Sequence, residues 1–199
     1  MFIVLLGPPG SGKGTQAELL CKKFNLFLFS TGNILRNEVS KKTKFGKEIE
    51  TIINAGKLIS DKLIIRVVGN QLTDKFDKKK GILFDGFPRN LSQAKVFNTL
   101  LKNKKKNLDY VMQLVVDKFE IIARIKKRKI QDGRKDDNIT ILKSRLDVYF
   151  NETEPLLKFY KNINLLHKID GMQSIEDVNN DLSSAILSSK NTWIISINI

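Results

Sequence analysis

The sequence predicts an α/β fold of three layers, with a five-stranded parallel sheet between helices. Five short, mainly apolar runs, at residues 2–6, 26–29, 82–84, 110–116 and 165–169, are separated by segments of helical spacing. Short apolar strands alternating with helices are the pattern of a parallel sheet covered on both faces. The sharpest motifs each begin where one of these runs ends, which is where ligands bind in such sheets.

The elements follow in order. The run 2–6 ends in a glycine-rich turn, and residues 13–24 continue with helical spacing before the second run. Residues 31–61 are polar and helical, with no strong strand among them. After the third run, helical patterns cover 91–101, 119–128, 139–160 and 174–187, with the last two strands between them. Residues 129–137 read as a short polar loop holding Gly133. Both interruptions, 31–61 and 129–137, carry arginines flanked by turn residues, as mobile covers over a site do. The tail 191–199, with Trp193, extends past the last expected helix. No repeat or Gly/Ser/Pro-rich linker divides the 199 residues, so one domain is expected.

Composition narrows the class. A chain 41% hydrophobic and 28% charged is that of a soluble globular protein. No apolar run approaches the roughly 18 residues of a membrane helix. No basic segment precedes the apolar stretch at Phe2, so no leader is expected and the cytoplasm is the expected compartment. The net charge of +14 comes from lysines spread along the chain without interleaved aromatics, so a nucleic-acid partner is not expected. Cys21 is the only cysteine; it reads as a small core residue, and a thiolate zinc site is excluded. Nothing in the pattern calls for an interface, so the expected state is a monomer.

Gly7-Pro8-Pro9-Gly10-Ser11-Gly12-Lys13 lies between a strand and a helix, the context that makes a phosphate-binding loop specific. Glycines let successive backbone N–H groups turn inward as an anion cradle, and the helix that opens at Lys13 adds its positive end. Lys13 is placed to reach the β- and γ-phosphates. A second motif, Gly81-Ile82-Leu83-Phe84-Asp85-Gly86-Phe87-Pro88-Arg89, sets a carboxylate at a strand tip and an arginine four residues on. Asp85 suits a carboxylate that orients magnesium-bound waters, and Arg89 suits a bidentate phosphate clamp. Arg124 and Arg128, an i, i+4 pair, share one helix face, an arrangement that suits an anion.

The loop continues as Gly14-Thr15 where most such loops place the magnesium-ligating Ser or Thr directly after the lysine; Gly-Lys-Gly-Thr resembles the nucleoside monophosphate kinases. Asp85-Gly86-Phe87-Pro88-Arg89 is similar to the signature of the adenylate kinase family. The resemblance covers nearly the whole chain and implies a P-loop NTPase-type fold with a core (1–29, 62–127, 138–199), an AMP-binding insertion (30–61) and a short lid (128–137). It implies ATP and AMP as substrates, ADP as product and Mg2+ as cofactor. Gly10, Ser11, Gly12, Lys13, Gly14 and Thr15 would hold the ATP phosphates with Arg124 and Arg128, and Lys168 and Gly171 would lie beside the ATP adenine. Thr31, Leu58, Ile59 and Gln93 would surround the AMP base, Gly86 would also bind AMP, and Arg36, Arg89, Arg134 and Arg145 would lie on phosphate. Lys13, Arg89, Arg124, Arg134 and Arg145 would serve the transfer itself, and Asp85 would act on the metal through water.

The alternative within the same fold is a UMP/CMP kinase. That group usually has alanine where this chain has Thr31, and asparagine where it has Gln93. More remote is a regulatory P-loop module, for which no guanine-reading Asn-Lys-x-Asp motif is present. Only five residues separate Arg128 from Arg134, so the lid resembles the short, zinc-free type. Asn33 replaces an aspartate usual in the family, which leaves more of the water-orienting role to Asp85. Ser60 replaces a common proline at a hinge. His167, the single histidine, has no expected part in a direct transfer between nucleotides.

Overall fold

A computed structural model describes residues 1–72, 80–132 and 139–195. Strands β1 (Phe2–Leu6), β2 (Phe27–Ser30), β3 (Ile82–Asp85), β4 (Tyr110–Val115) and β5 (Leu166–Asp170) form one parallel sheet in the order β2-β3-β1-β4-β5. Each lies within one residue of its expected range. The chain leaves β1 for β2 on one side and β3 for β4 on the other. The order therefore reverses between β1 and β3, and a crevice opens at their carboxyl ends.

Among the described residues the helices are α1 (Lys13–Phe24), α2 (Thr31–Ser40), α3 (Lys44–Asn54), α4 (Asp61–Leu72), α5 (Leu91–Asn103), α6 (Lys118–Asp132), α7 (Ile139–Val148), α8 (Pro155–Asn162) and α9 (Ile175–Ile195). One core layer packs Phe29, Phe84, Phe87 and Phe97 against Leu156 and Tyr160. Ring centroids are 5.6 Å apart for Phe29–Phe84, 4.7 Å for Phe84–Phe97 and 5.3 Å for Phe87–Phe97. All four are fully buried, and each contributes roughly 1.5–3 kcal/mol of burial free energy to the platform under the β3 tip. The other layer sets Leu20 of α1 and Leu182 of α9 against β1 and β4. A smaller cluster of Ile121, Ile125, Leu142 and Leu146 ties α6 to α7.

The structure corrects the sequence reading at four places. The last helix, expected over 174–187, is carried by α9 on to Ile195, through the start of the expected tail. The polar loop expected over 129–137 begins as helix, because α6 runs on to Asp132. Residues 128–132 hold neither glycine nor proline, so nothing local ends the helix at Arg128. Residues 133–138, with Gly133 and Arg134, lie outside the described residues. The single helix expected over 139–160 is broken by a π-helical turn at Tyr149–Thr153, closed by a bond from the Glu154 N–H to the Tyr149 carbonyl at 2.8 Å. Pro155, which has no N–H to give, opens α8 at once. Finally, α4 has no counterpart among the expected helices; Ile64 and Val68 bury its inner face in the first core layer.

Candidate active site

The turn after β1 forms the floor of the site. Gly12, at φ 91°, adopts a left-handed conformation that glycine takes without steric penalty, and it ends the loop where α1 begins. No side chain caps α1, so its first N–H groups remain directed at the loop's concave side. The Lys13 ammonium folds over the loop, donating to the Gly7 carbonyl at 2.7 Å, the Pro8 carbonyl at 2.9 Å and Ser11 Oγ at 3.3 Å. Burial pushes its pKa down to about 8, with Asp85 opposing and Arg89, Arg145 and Arg128 adding to the shift. That crowding of like charge is what an incoming polyphosphate relieves.

The tip of β3 builds the opposite wall. Asp85 accepts a hydrogen bond from Ser30 Oγ at 3.1 Å. Thr31, which opens α2, donates its hydroxyl to the Gly86 carbonyl at 2.8 Å. Arg89 Nε donates to the same carbonyl at 2.8 Å. The arginine backbone is fixed from both directions, its N–H donating to Gln93 Oε1 and its carbonyl accepting from Thr153 Oγ1, each at 2.8 Å. The π-helical turn thereby delivers Thr153 to the back of Arg89. Burial lowers the Arg89 pKa to about 10, helped by Arg145, opposed by Asp85 and helped again by Arg36, so the group stays charged near neutrality.

Gly86 is the tightest point of this wall. It has φ 79°, and a Cβ there would stand 2.6 Å from Thr31 Oγ1 and 2.9 Å from Arg89 Nη2. Gly86→Ala is expected to cost about 1–2 kcal/mol of stability and to raise KM for the acceptor about tenfold, because Arg89 must move. KM for the donor should stay within about twofold. Steady-state kinetics with each substrate varied in turn check this.

A cleft of about 760 Å³ joins the two walls. Of the candidate residues, Lys13, Thr15, Arg36, Asp85, Arg89, Arg124, Arg128, Arg145 and Gly171 line it together. A smaller pocket opens beside it, where Thr31, Leu58, Ile59 and Gln93 meet Gly86. Arg36, Arg89 and Arg145 border both spaces, so the cations stand where two ligands would meet. Lys168, an exposed residue of β5, is not brought to the lining of either.

Four residues that the sequence does not single out support the site. Glu120 binds Arg124 Nε at 2.7 Å, while Arg124 Nη2 donates to the Gly171 carbonyl at 2.9 Å. Tyr149 lines the large cleft, and burial pushes its phenol up to about 12, so it is neutral there. Thr153 and Asp61 complete the set, the latter accepting from Gln93 Nε2 at 2.8 Å. Helical spacing cannot reveal such partners, since Thr153 and Arg89 are 64 residues apart. In place of the aspartate usual in the resembling family, Asn33 Oδ1 accepts from Arg36 Nη2 at 2.6 Å.

The donor set fits magnesium held chiefly by phosphate oxygens. Among the described residues no three acidic, cysteine or histidine side chains group into a metal cage, and Asp85 supplies a carboxylate to the cleft, which Glu18 and Glu120 also line.

Comparison with known proteins agrees with this geometry. The sequence model of the adenylate kinase family matches residues 5–165. An adenylate kinase of Azobacteroides pseudotrichonymphae is 46% identical over 176 residues, covering 88% of this chain and 92% of the relative. One from Thermobifida fusca is 42% identical over 188 residues, covering 94% and 99%, and one from Methylorubrum extorquens 40% identical over 192 residues, covering 94% and 96%.

Proposed function

The chain belongs to the adenylate kinase family, and we propose that its cleft transfers the γ-phosphoryl group of ATP to AMP, reversibly, giving two ADP. One observation carries the reading: a phosphate loop and a base-sized pocket share the wall formed by Arg36, Arg89 and Arg145. A monophosphate in the smaller pocket and a triphosphate on the loop would meet end to end there.

In this reading a phosphate oxygen of AMP attacks the γ-phosphorus in line. The bond from that phosphorus to the β-bridging oxygen breaks, and its electron pair leaves with ADP. The nucleophile is already an anion near neutrality, so no general base is needed, and the protein has only to position the reactants and stabilise charge. The loop N–H groups and Lys13 hold the β- and γ-phosphates. Arg36 and Arg89 hold the acceptor phosphate, with Arg145 between the two nucleotides; Arg134, outside the described residues, would join them only on the strength of the family resemblance. Arg124 and Arg128 flank the donor, with Gly171 toward its base, while Lys168 stays off the lining of the cleft. When bound to the phosphates, Mg2+ would supply charge neutralisation, and Asp85 is the cleft carboxylate that would orient its waters. Closure of the insertion 30–61 and the lid 128–137 over this core would exclude water and suppress hydrolysis; the adenylate kinase lid is itself a standard example of such closure. Both nucleotide subsites are drawn from one chain, so we read the enzyme as a monomer, working in the cytoplasm, with no nucleic-acid or membrane partner. Among the described residues no helix is long and apolar enough to cross a membrane.

Initial rates with MgATP and a panel of AMP, CMP, UMP and GMP test the assignment. The expected result is diphosphate formation fastest with AMP. Faster transfer to CMP or UMP would replace the acceptor, and no transfer to any would end the kinase reading.

A further inference from the structure

Gln93 is 2% exposed yet lines the smaller pocket. Its terminal amide has two ends of nearly equal shape and opposite hydrogen-bonding character, so the end that faces a ligand decides which base edge is accepted. Two independent partners fix that choice. The Arg89 backbone N–H can only donate, and it reaches Oε1 at 2.8 Å. The Asp61 carboxylate can only accept, and Oδ1 receives Nε2 at 2.8 Å. Turning the amide over would set donor against donor and oxygen against carboxylate, losing two buried hydrogen bonds at once.

Asp61 is itself well held. Its Oδ1 also accepts from Asn90 Nδ2 at 3.0 Å, while Asn90 Oδ1 caps α5 through the Gln93 N–H at 2.9 Å. Burial works against the Asp61 charge, but bonds from the Gln93, Asn90 and Ser92 side chains outweigh it and keep the carboxyl below its usual range. Locked in this way, Gln93 retains one lone pair on Oε1 and one hydrogen on Nε2 for a ligand.

We propose that Asp61 is a positioning residue that sets acceptor-base specificity, locking the Gln93 amide so that the pocket takes an amino-bearing base edge and rejects an oxo-bearing one. The inference rests on the reading of this pocket as the AMP site. Adenine presents an exocyclic N–H beside an unprotonated ring nitrogen, which matches the retained lone pair and hydrogen. Hypoxanthine has the same size and presents the reverse pattern, an oxygen beside a ring N–H. Inosine monophosphate is therefore the sharp probe. Cytosine shares the adenine pattern on a smaller ring, so the lock does not exclude it and pocket shape must.

The test compares kcat/KM for AMP and inosine monophosphate in the wild-type enzyme and in Asp61→Ala, Asp61→Ser and Asp61→Asn. The wild type should prefer AMP by about a hundredfold or more, as a site built to hydrogen-bond one edge does. In Asp61→Ala only the Arg89 N–H still holds the amide, the turned state is disfavoured by one bond in place of two, and the preference should fall by about tenfold or more, with KM for ATP within about twofold. Asp61→Asn keeps an acceptor oxygen and should restore most of the preference. If the alanine variant fails to fold, Asp61→Ser carries the comparison. Serine opens helices as well as aspartate does, and its hydroxyl falls about one bond short of Nε2. A preference that survives both Asp61→Ala and Asp61→Ser, with AMP and inosine monophosphate slowed equally, overturns the inference. So does a wild type that uses both acceptors alike. A wild type that leaves AMP untouched overturns the acceptor reading itself, which separates the two failures.

Discussion

Arg89→Ala is expected to lower kcat/KM for AMP by about a hundredfold to a thousandfold, or roughly 2.7–4 kcal/mol of transition-state stabilisation. Few side chains in the cleft are so completely positioned. Gly86 holds the Arg89 Nε, Gln93 holds its backbone N–H and Thr153 holds its carbonyl. A fork fixed in this way loses little freedom when it grips a phosphate, so nearly all of its charge-assisted bonding is available to the transferring group. Its depressed pKa, about 10, reports burial and the nearness of Arg145 and Arg36, a repulsion that an anion removes. The loss should appear in kcat as well as KM, because charge builds at the junction of the two nucleotides. Arg89→Lys should recover only part of it, since an ammonium keeps the charge and lacks the fork. A kcat/KM for Arg89→Ala within about threefold of wild type would show that the clamp lies elsewhere.

Lys13→Ala is expected to reduce kcat by a comparable factor, about a hundredfold to a thousandfold. The ammonium sits on the Gly7 and Pro8 carbonyls, within the cradle that would hold the phosphates. Its lowered pKa makes a second, independent prediction. Burial is the main cause, and the value falls to about 8, so the charged form of the free enzyme is lost as pH rises through that value. Because kcat/KM for ATP reports the free enzyme, it should decline above about pH 8, approaching tenfold per unit. Bound triphosphate favours the charged form, so kcat at saturating ATP should hold to higher pH. A kcat/KM that stays flat to pH 10 would place the Lys13 charge outside the titration. The Lys13→Ala enzyme should lose the decline along with the rate.

Much of this was legible in the sequence because it is local. An apolar run closed by Gly7, or by Asp85-Gly86, has few structures open to it, and the five strands appear within a residue of their expected ranges. Lys13, Asp85 and Arg89 were legible for a related reason, since they lie at or after strand ends, and Arg124 and Arg128 share one helix face; Arg36 and Arg145 were legible only through the family resemblance. What escaped depends on distant contacts. The π-helical turn at Tyr149–Thr153 follows from Pro155, a signal present in the chain, but its purpose is visible only in the Thr153–Arg89 bond. The extension of α6 to Asp132 escaped because a run of polar helix formers and a polar loop look alike without tertiary packing. Asp61 is not singled out by the sequence, because its role lies in a contact with Gln93, 32 residues away.

Direct passage of the phosphoryl group, from ATP on the loop to AMP in the smaller pocket, is open to a single decisive measurement. The enzyme is incubated with Mg2+, unlabelled AMP and ATP labelled at the γ-phosphorus, and the label is followed during the first turnovers. Direct transfer predicts that the label appears in the β-position of ADP made from AMP, one labelled and one unlabelled ADP per event, with little inorganic phosphate. Label released mainly as inorganic phosphate, or retained on the protein, would contradict it.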